Sequence, residues 1–234
     1  MSTWIFDRRL ISFLVLPLLA GCLAVPDVAR RDAGVLRKPP ETVAVANREV
    51  VIGGPPGYCV DRSASRIGGA RPFVLLGSCA SIAQDARAGS PRIPGILTAS
   101  VASDTGGGPV TDAAMAQMER FLASPDGRAA LARDGRADSV TVLSTRTEQG
   151  ALFIHLRDTS ENPVQGVADD YWRGLFDVNG RLVTVSVVSF ADQPLTDDAG
   201  LSTLRAFLAR ILQETPQNEV ADATRPGLLR GLFR

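Results

Sequence analysis

The chain has 234 residues, with 25 basic (Lys and Arg) and 25 acidic side chains and a formal net charge of zero. Proteins that bind nucleic acid usually carry a concentrated basic surface, so this balance argues against a nucleic-acid partner. Hydrophobic residues make up 45% of the chain, a share typical of a globular protein large enough to bury one sizeable core.

The first 22 residues have the pattern of an export signal. Arg8 and Arg9 precede an apolar stretch from Leu10 to Leu19, about the length of a signal h-region and too short to cross a bilayer. The stretch ends in Leu19-Ala20-Gly21-Cys22. This tetrapeptide resembles the lipobox of bacterial lipoproteins.

The lipobox resemblance implies that residues 1–21 are removed as a signal peptide and that the Cys22 thiol receives a diacylglyceryl group. The membrane would then be a partner through the N-terminal lipid. Leu23 stands where lipoproteins retained at the inner membrane carry Asp, so we expect the periplasmic side of the outer membrane rather than the inner membrane. The alternative is an ordinary signal peptide and a free, secreted domain.

Residues 22–47 are predicted to form a flexible tether, because prolines, charges and alanines alternate there without a hydrophobic period. One globular domain is predicted over 48–214. Its first half contains short apolar runs of strand length, separated by Gly, Pro and Ser, at 50–52, 58–60, 73–76 and 96–101.

Two helices are predicted to follow this first group of strands. One opens at Thr111 and carries an apolar face that includes Met115 and Met118. The other has Ser124 as its N-cap and Pro125 as its first residue, and it ends near Gly135.

The second half alternates with period two, which predicts half-buried antiparallel strands at 139–147, 151–157, 171–178 and 181–190. Asn179-Gly180 predicts a type I′ turn that joins the last two of them. A final helix is predicted to start near Asp197 or Asp198 and to cover the sheet.

These elements predict an α+β fold, in which a mostly antiparallel sheet of about six strands packs against two or three helices. The element order is similar to the α/β/α sandwich of the PsbP and Mog1 type. The similarity is one of fold, so it implies no particular activity.

Cys59 and Cys79 are the remaining cysteines, and both lie in predicted strand regions of an exported chain. An oxidising compartment favours a disulfide between them, which would close a loop of about 20 residues. Two separate buried thiols are the alternative.

No catalytic or metal-binding residue and no cofactor is predicted. His155 is the single histidine and is interpreted as an ordinary strand residue, half exposed or hydrogen-bonded, on the face opposite Leu152, Ile154 and Leu156. The pairs Asp169-Asp170 and Asp197-Asp198 are interpreted as solvated caps at element boundaries.

Residues 215–234 are predicted to form a polar linker and a short tail that is both basic and apolar. The tail either docks on its own domain or is free, or it contacts anionic headgroups or an envelope protein. Its candidate interaction residues are Leu228, Leu229, Arg230, Leu232, Phe233 and Arg234.

The sequence therefore favours a lipid-anchored periplasmic protein that is a non-catalytic interaction or envelope-maintenance component. The alternative is a periplasmic enzyme, for example a hydrolase, with a site based on carboxylates or on His155. A deep cleft that places His155 beside a carboxylate would favour the enzyme, whereas a flat surface would favour the interaction protein.

Overall fold

The computed structural model describes residues 38–103, 111–162 and 164–217. They contain nine strands and four α-helices. The strands are β1 (Thr42–Val45), β2 (Val50–Gly53), β3 (Tyr58–Arg66), β4 (Phe73–Ser78), β5 (Ile96–Val101), β6 (Val140–Glu148), β7 (Ala151–Asp158), β8 (Val167–Val178) and β9 (Arg181–Phe190). The helices are α1 (Cys79–Ala83), α2 (Asp112–Ala123), α3 (Pro125–Leu131) and α4 (Asp197–Glu214).

Seven strands form one antiparallel sheet in the order β3-β4-β5-β9-β8-β7-β6, and β1 pairs with β2 in a separate hairpin. The predicted α+β class with a mostly antiparallel sheet is confirmed. Strand β1 lies within the range predicted as tether. Four residues are too few to show a hydrophobic period, and the strand is defined by its pairing, Val45 opposite Val50.

Helices cover both faces of the β6–β9 half of the sheet. On one face, α4 and the β1–β2 hairpin pack over a core that includes Phe153, Trp172 and Phe207. On the other face, α2 and α3 pack over Leu152, Ile154 and Leu156. Strand β7 is therefore buried on both sides, and the prediction of a half-buried strand is wrong there.

The turn at Asn179-Gly180 joins β8 to β9, with φ of +54° and +81° at the two residues. This confirms the predicted hairpin, since a type I′ turn needs positive φ at both central positions. Gln149-Gly150 has the same left-handed backbone and joins β6 to β7. The sequence did not reveal it, because Gln is not a residue that marks such turns.

The helix caps follow the predicted chemistry with small shifts. Ser124 Oγ accepts a hydrogen bond from the Gly127 N–H, with Pro125 at the first position of α3. That helix ends at Leu131, before the predicted stop at Gly135. The N-cap of α4 is Thr196, whose hydroxyl accepts from the Ala199 N–H, and Asp197 and Asp198 lie in the first turn.

Candidate functional site

An open cleft of about 350 Å³ lies at the N-terminal end of α4, on the α4 face of the sheet. We call it the His155 cleft. Strands β7, β8 and β9 supply one wall, and the segment that leads into α4 supplies the other. Its polar lining residues are His155, Arg157, Asp169, Asp170, Tyr171, Trp172, Ser189 and Asp197.

His155 sits on β7 directly opposite Trp172 on β8. The two rings are stacked in parallel, with centroids 4.7 Å apart and an angle of 7° between their planes. His155 lies on the strand face that the sequence predicted, but it is only 9% exposed rather than half exposed. The burial follows from its position beneath the start of α4, which a strand pattern does not reveal.

The start of α4 lies directly over Trp172 because of Gly200. A Cβ atom at this position would lie 2.4 Å from Trp172 Cδ1, so only glycine lets the helix approach the indole this closely. The same approach brings Asp197 to the cleft. Its Oδ1 lies 3.5 Å from His155 Nδ1, while the Asp197 side chain stays 77% exposed.

Asp170 forms a two-pronged ion pair with Arg157 on the neighbouring strand. Arg157 Nε and Nη2 donate to the two carboxylate oxygens at 2.5 and 2.9 Å. These bonds hold the pKa of Asp170 below its usual range and raise the pKa of Arg157. Asp170 is thus part of strand β8 and of an ion pair, not the solvated cap that the sequence predicted.

Ser189 continues the row of inward-facing residues on β9 that includes Val185 and Val187. It lines the cleft and is 5% exposed. Strand β8 separates it from His155, which places the two backbones about 10 Å apart at the usual strand spacing. Within the described ranges no hydrogen bond joins Ser189 to His155, so they do not form a nucleophile and base pair in this structure.

A second depression, of about 460 Å³, lies beside the ends of β4 and β5. Ile82, Ile96 and Phe190 give it a mostly apolar lining, with Asp61 at its edge. It opens on the side of the sheet opposite α4. Its apolar lining can accept an apolar group.

Cys59 and Cys79 form a disulfide, with their Cα atoms 4.8 Å apart. This confirms the predicted pair. Cys59 is in β3 as predicted, whereas Cys79 is the first residue of the short helix α1. The lipidation candidate Cys22 and the candidate interaction residues of the tail, 228–230 and 232–234, lie outside the described residues.

The described residues contain neither a candidate metal site nor a candidate membrane span. Neither the strands nor the helices there bring together three or more His, Cys, Asp or Glu side chains that could hold a metal ion. In the same residues, no helix combines the length and the apolar character needed to span a membrane.

No family model matches the chain, and no curated protein matches it. Among solved structures, it is similar to the solution structure of cyanobacterial PsbP (CyanoP) from Synechocystis sp. PCC 6803. The match has a TM-score of 0.37 and 13% sequence identity, and it covers 78% of this chain and 93% of that one. The α+β architecture follows from the chain's own strands and helices, and the similarity to that structure is weak.

Proposed function

We propose that this chain is a lipid-anchored periplasmic protein that acts by binding, as an interaction or envelope-maintenance component. Its N-terminal residues resemble a lipoprotein signal, and Cys22 is the expected acylation site. Leu23 favours the periplasmic side of the outer membrane over the inner membrane.

The observation that carries this proposal is the pairing of two of the three cysteines in a disulfide. The chain has three, and Cys59 and Cys79 are bonded to each other. A disulfide is typical of proteins that mature outside the reducing cytoplasm. Cys22 is then the remaining cysteine, and it stands at the end of the lipobox-like sequence.

Binding is favoured over catalysis by the arrangement of the His155 cleft. Its imidazole is stacked on Trp172, and the cleft serine is two strands away from it. The cleft presents carboxylates and one buried hydroxyl around an open volume. These groups suit recognition of a ligand by hydrogen bonds and charge.

The experiment is a membrane fractionation of cells that express the full chain, with and without Cys22→Ser. We expect the wild type in the membrane fraction and the variant in the soluble periplasmic fraction. The matched control is the double variant Cys59→Ala/Cys79→Ala, which removes the other two cysteines and should leave membrane association intact. If Cys22→Ser stays in the membrane fraction, the proposed anchor is wrong.

A periplasmic enzyme is the second candidate function, and the contact between Asp197 and His155 favours it. A carboxylate that holds an imidazole through Nδ1 leaves Nε2 available as a general base. A panel of chromogenic esters and amides tests this with purified protein. Turnover that His155→Gln abolishes and Asp138→Asn leaves unchanged would support the enzyme, and equal rates in all three proteins would refute it.

A further inference from the structure

The His155 cleft has an excess of negative charge. Asp169, Asp170 and Asp197 line it, against one guanidinium from Arg157. Arg157 makes its two hydrogen bonds to Asp170. Within the described residues, neither Asp169 nor Asp197 forms an ion pair with a lysine or arginine.

A buried hydroxyl with no partner points into the same space. Ser189 is 5% exposed, and its Oγ makes no hydrogen bond within the described residues. No side-chain polar atom that is sealed from solvent lacks a partner in this part of the chain, so the Ser189 hydroxyl must open to the cleft. A largely buried hydroxyl that opens into a cleft can exchange its contact with water for a hydrogen bond to a ligand.

Part of the lining is apolar. Val187 forms the floor beside Ser189, and Pro194 and Leu195 form the wall that leads to α4. A ligand that fits both parts has a cationic head and a hydrocarbon stem. The side chains of Lys and Arg have this build, since they bury their methylene groups along apolar surface while the charge stays at the polar end.

We propose that the His155 cleft binds the cationic side chain of a lysine or arginine from a partner protein. The head lies between Asp169 and Asp197 and donates to Ser189 Oγ, and the stem lies against Leu195. This assignment rests on the proposed binding function and names the chemistry of the partner segment. Acylation at Cys22 is measured separately, so failure of the anchor and failure of this site are distinguishable.

The test uses the protein purified in detergent and carrying Trp4→Phe, so that Trp172 is the remaining tryptophan whether or not residues 1–21 have been removed. Calorimetric titration with the peptide acetyl-Gly-Lys-Leu-Lys-Gly-amide should show saturable binding, with a matching change in Trp172 emission. The same peptide with both lysines replaced by norleucine or by glutamate should bind at least about tenfold more weakly. Equal binding of the three peptides would overturn the proposal.

Variants of the cleft residues distinguish binding at this site from a general attraction between the peptide and surface carboxylates. Asp169→Asn/Asp197→Asn should weaken binding of the lysine peptide at least about tenfold, and Ser189→Ala several-fold. The matched control Asp126→Asn/Asp138→Asn removes two exposed carboxylates outside the cleft and should change the affinity less than twofold. Equal losses in the two double variants would overturn the proposal.

The arginines of this chain's own tail could occupy the cleft in place of a side chain from a partner protein. A variant with Arg225→Gln, Arg230→Gln and Arg234→Gln distinguishes it from a partner. We expect this variant to bind the lysine peptide with the affinity of the wild type. Clearly tighter binding would show that the tail already fills the cleft and would overturn the assignment to a partner protein.

Discussion

The His155 imidazole and the Trp172 indole stack across neighbouring strands, 4.7 Å between centroids and within 7° of parallel. His155 is 9% exposed and Trp172 is 4% exposed. The stack forms the inner end of the cleft, and the first turn of α4 closes over the indole. Stability of the domain and the shape of the site therefore depend on the same pair of residues.

We predict that His155→Ala lowers the free energy of unfolding by about 1–3 kcal/mol, because it removes an aromatic stack and leaves a cavity. His155→Phe keeps a flat ring over Trp172 and should lose less than about 1 kcal/mol. Urea unfolding followed by circular dichroism measures both variants. Equal stability of the wild type and His155→Ala would show that the stack contributes little.

Gly200→Ala should destabilise the protein by about 1–3 kcal/mol, since the new methyl group would meet Trp172 Cδ1 at 2.4 Å. The sign of the change in the free energy of unfolding is diagnostic, because Gly→Ala inside a helix otherwise stabilises a protein by about 1 kcal/mol. Ser202→Ala, at an exposed position of the same helix, is the control and should change stability little. A rise in the thermal midpoint of Gly200→Ala would contradict the close packing described here.

Removing the disulfide with Cys59→Ala/Cys79→Ala should cost about 3 kcal/mol, on the chain-entropy account for a separation of 20 residues. Reduction of the wild type with dithiothreitol should lower stability in the same direction, and the double variant should not respond to it. Thermal unfolding with and without reductant provides the measurement. A double variant as stable as the oxidised wild type would refute the prediction.

Burial raises the pKa of Tyr58 to about 12, and its hydroxyl donates to the Ile93 carbonyl oxygen at 2.7 Å. The unfolded chain ionises near pH 10, before the folded state does. The contribution of Tyr58 to the free energy of unfolding is therefore fully present below pH 10. It falls by on the order of 2 kcal/mol as the pH rises from 10 to 12.

Denaturant titrations at several alkaline pH values test the Tyr58 prediction. Tyr58→Phe should flatten the loss of stability between pH 10 and 12. Burial also raises the pKa of Tyr171, so Tyr171→Phe is the matched comparison for the other tyrosine of the chain. A wild type whose tyrosine absorbance titrates near pH 10 before unfolding would contradict the burial of both hydroxyls.

The sequence predicted those parts of the fold that local chemistry determines. Asn179-Gly180 requires positive φ at both positions, and Ser124-Pro125 starts a helix, so both features could be read directly. Alternation also assigned His155 to the correct face of β7. The disulfide is the pairing expected of a chain with an export-like signal, in which two cysteines besides Cys22 are available.

The cleft itself was not predictable, because it depends on register and on packing between distant elements. The register between β7 and β8 sets Trp172 opposite His155, and no local pattern encodes that register. The need for glycine at position 200 is also not predictable from the sequence, because it depends on the Trp172 indole that packs beneath this residue. Asp197 was correctly assigned to a helix start, but its contact with a buried imidazole on another element was missed.

The most direct test of the central claim is mass spectrometry of the N-terminal peptide of the protein isolated from bacterial membranes. The account predicts a peptide that begins at Cys22 and carries the mass of a diacylglyceryl group on the thiol. A peptide that retains residues 1–21, or one that begins at residue 22 or later without a lipid, would contradict it.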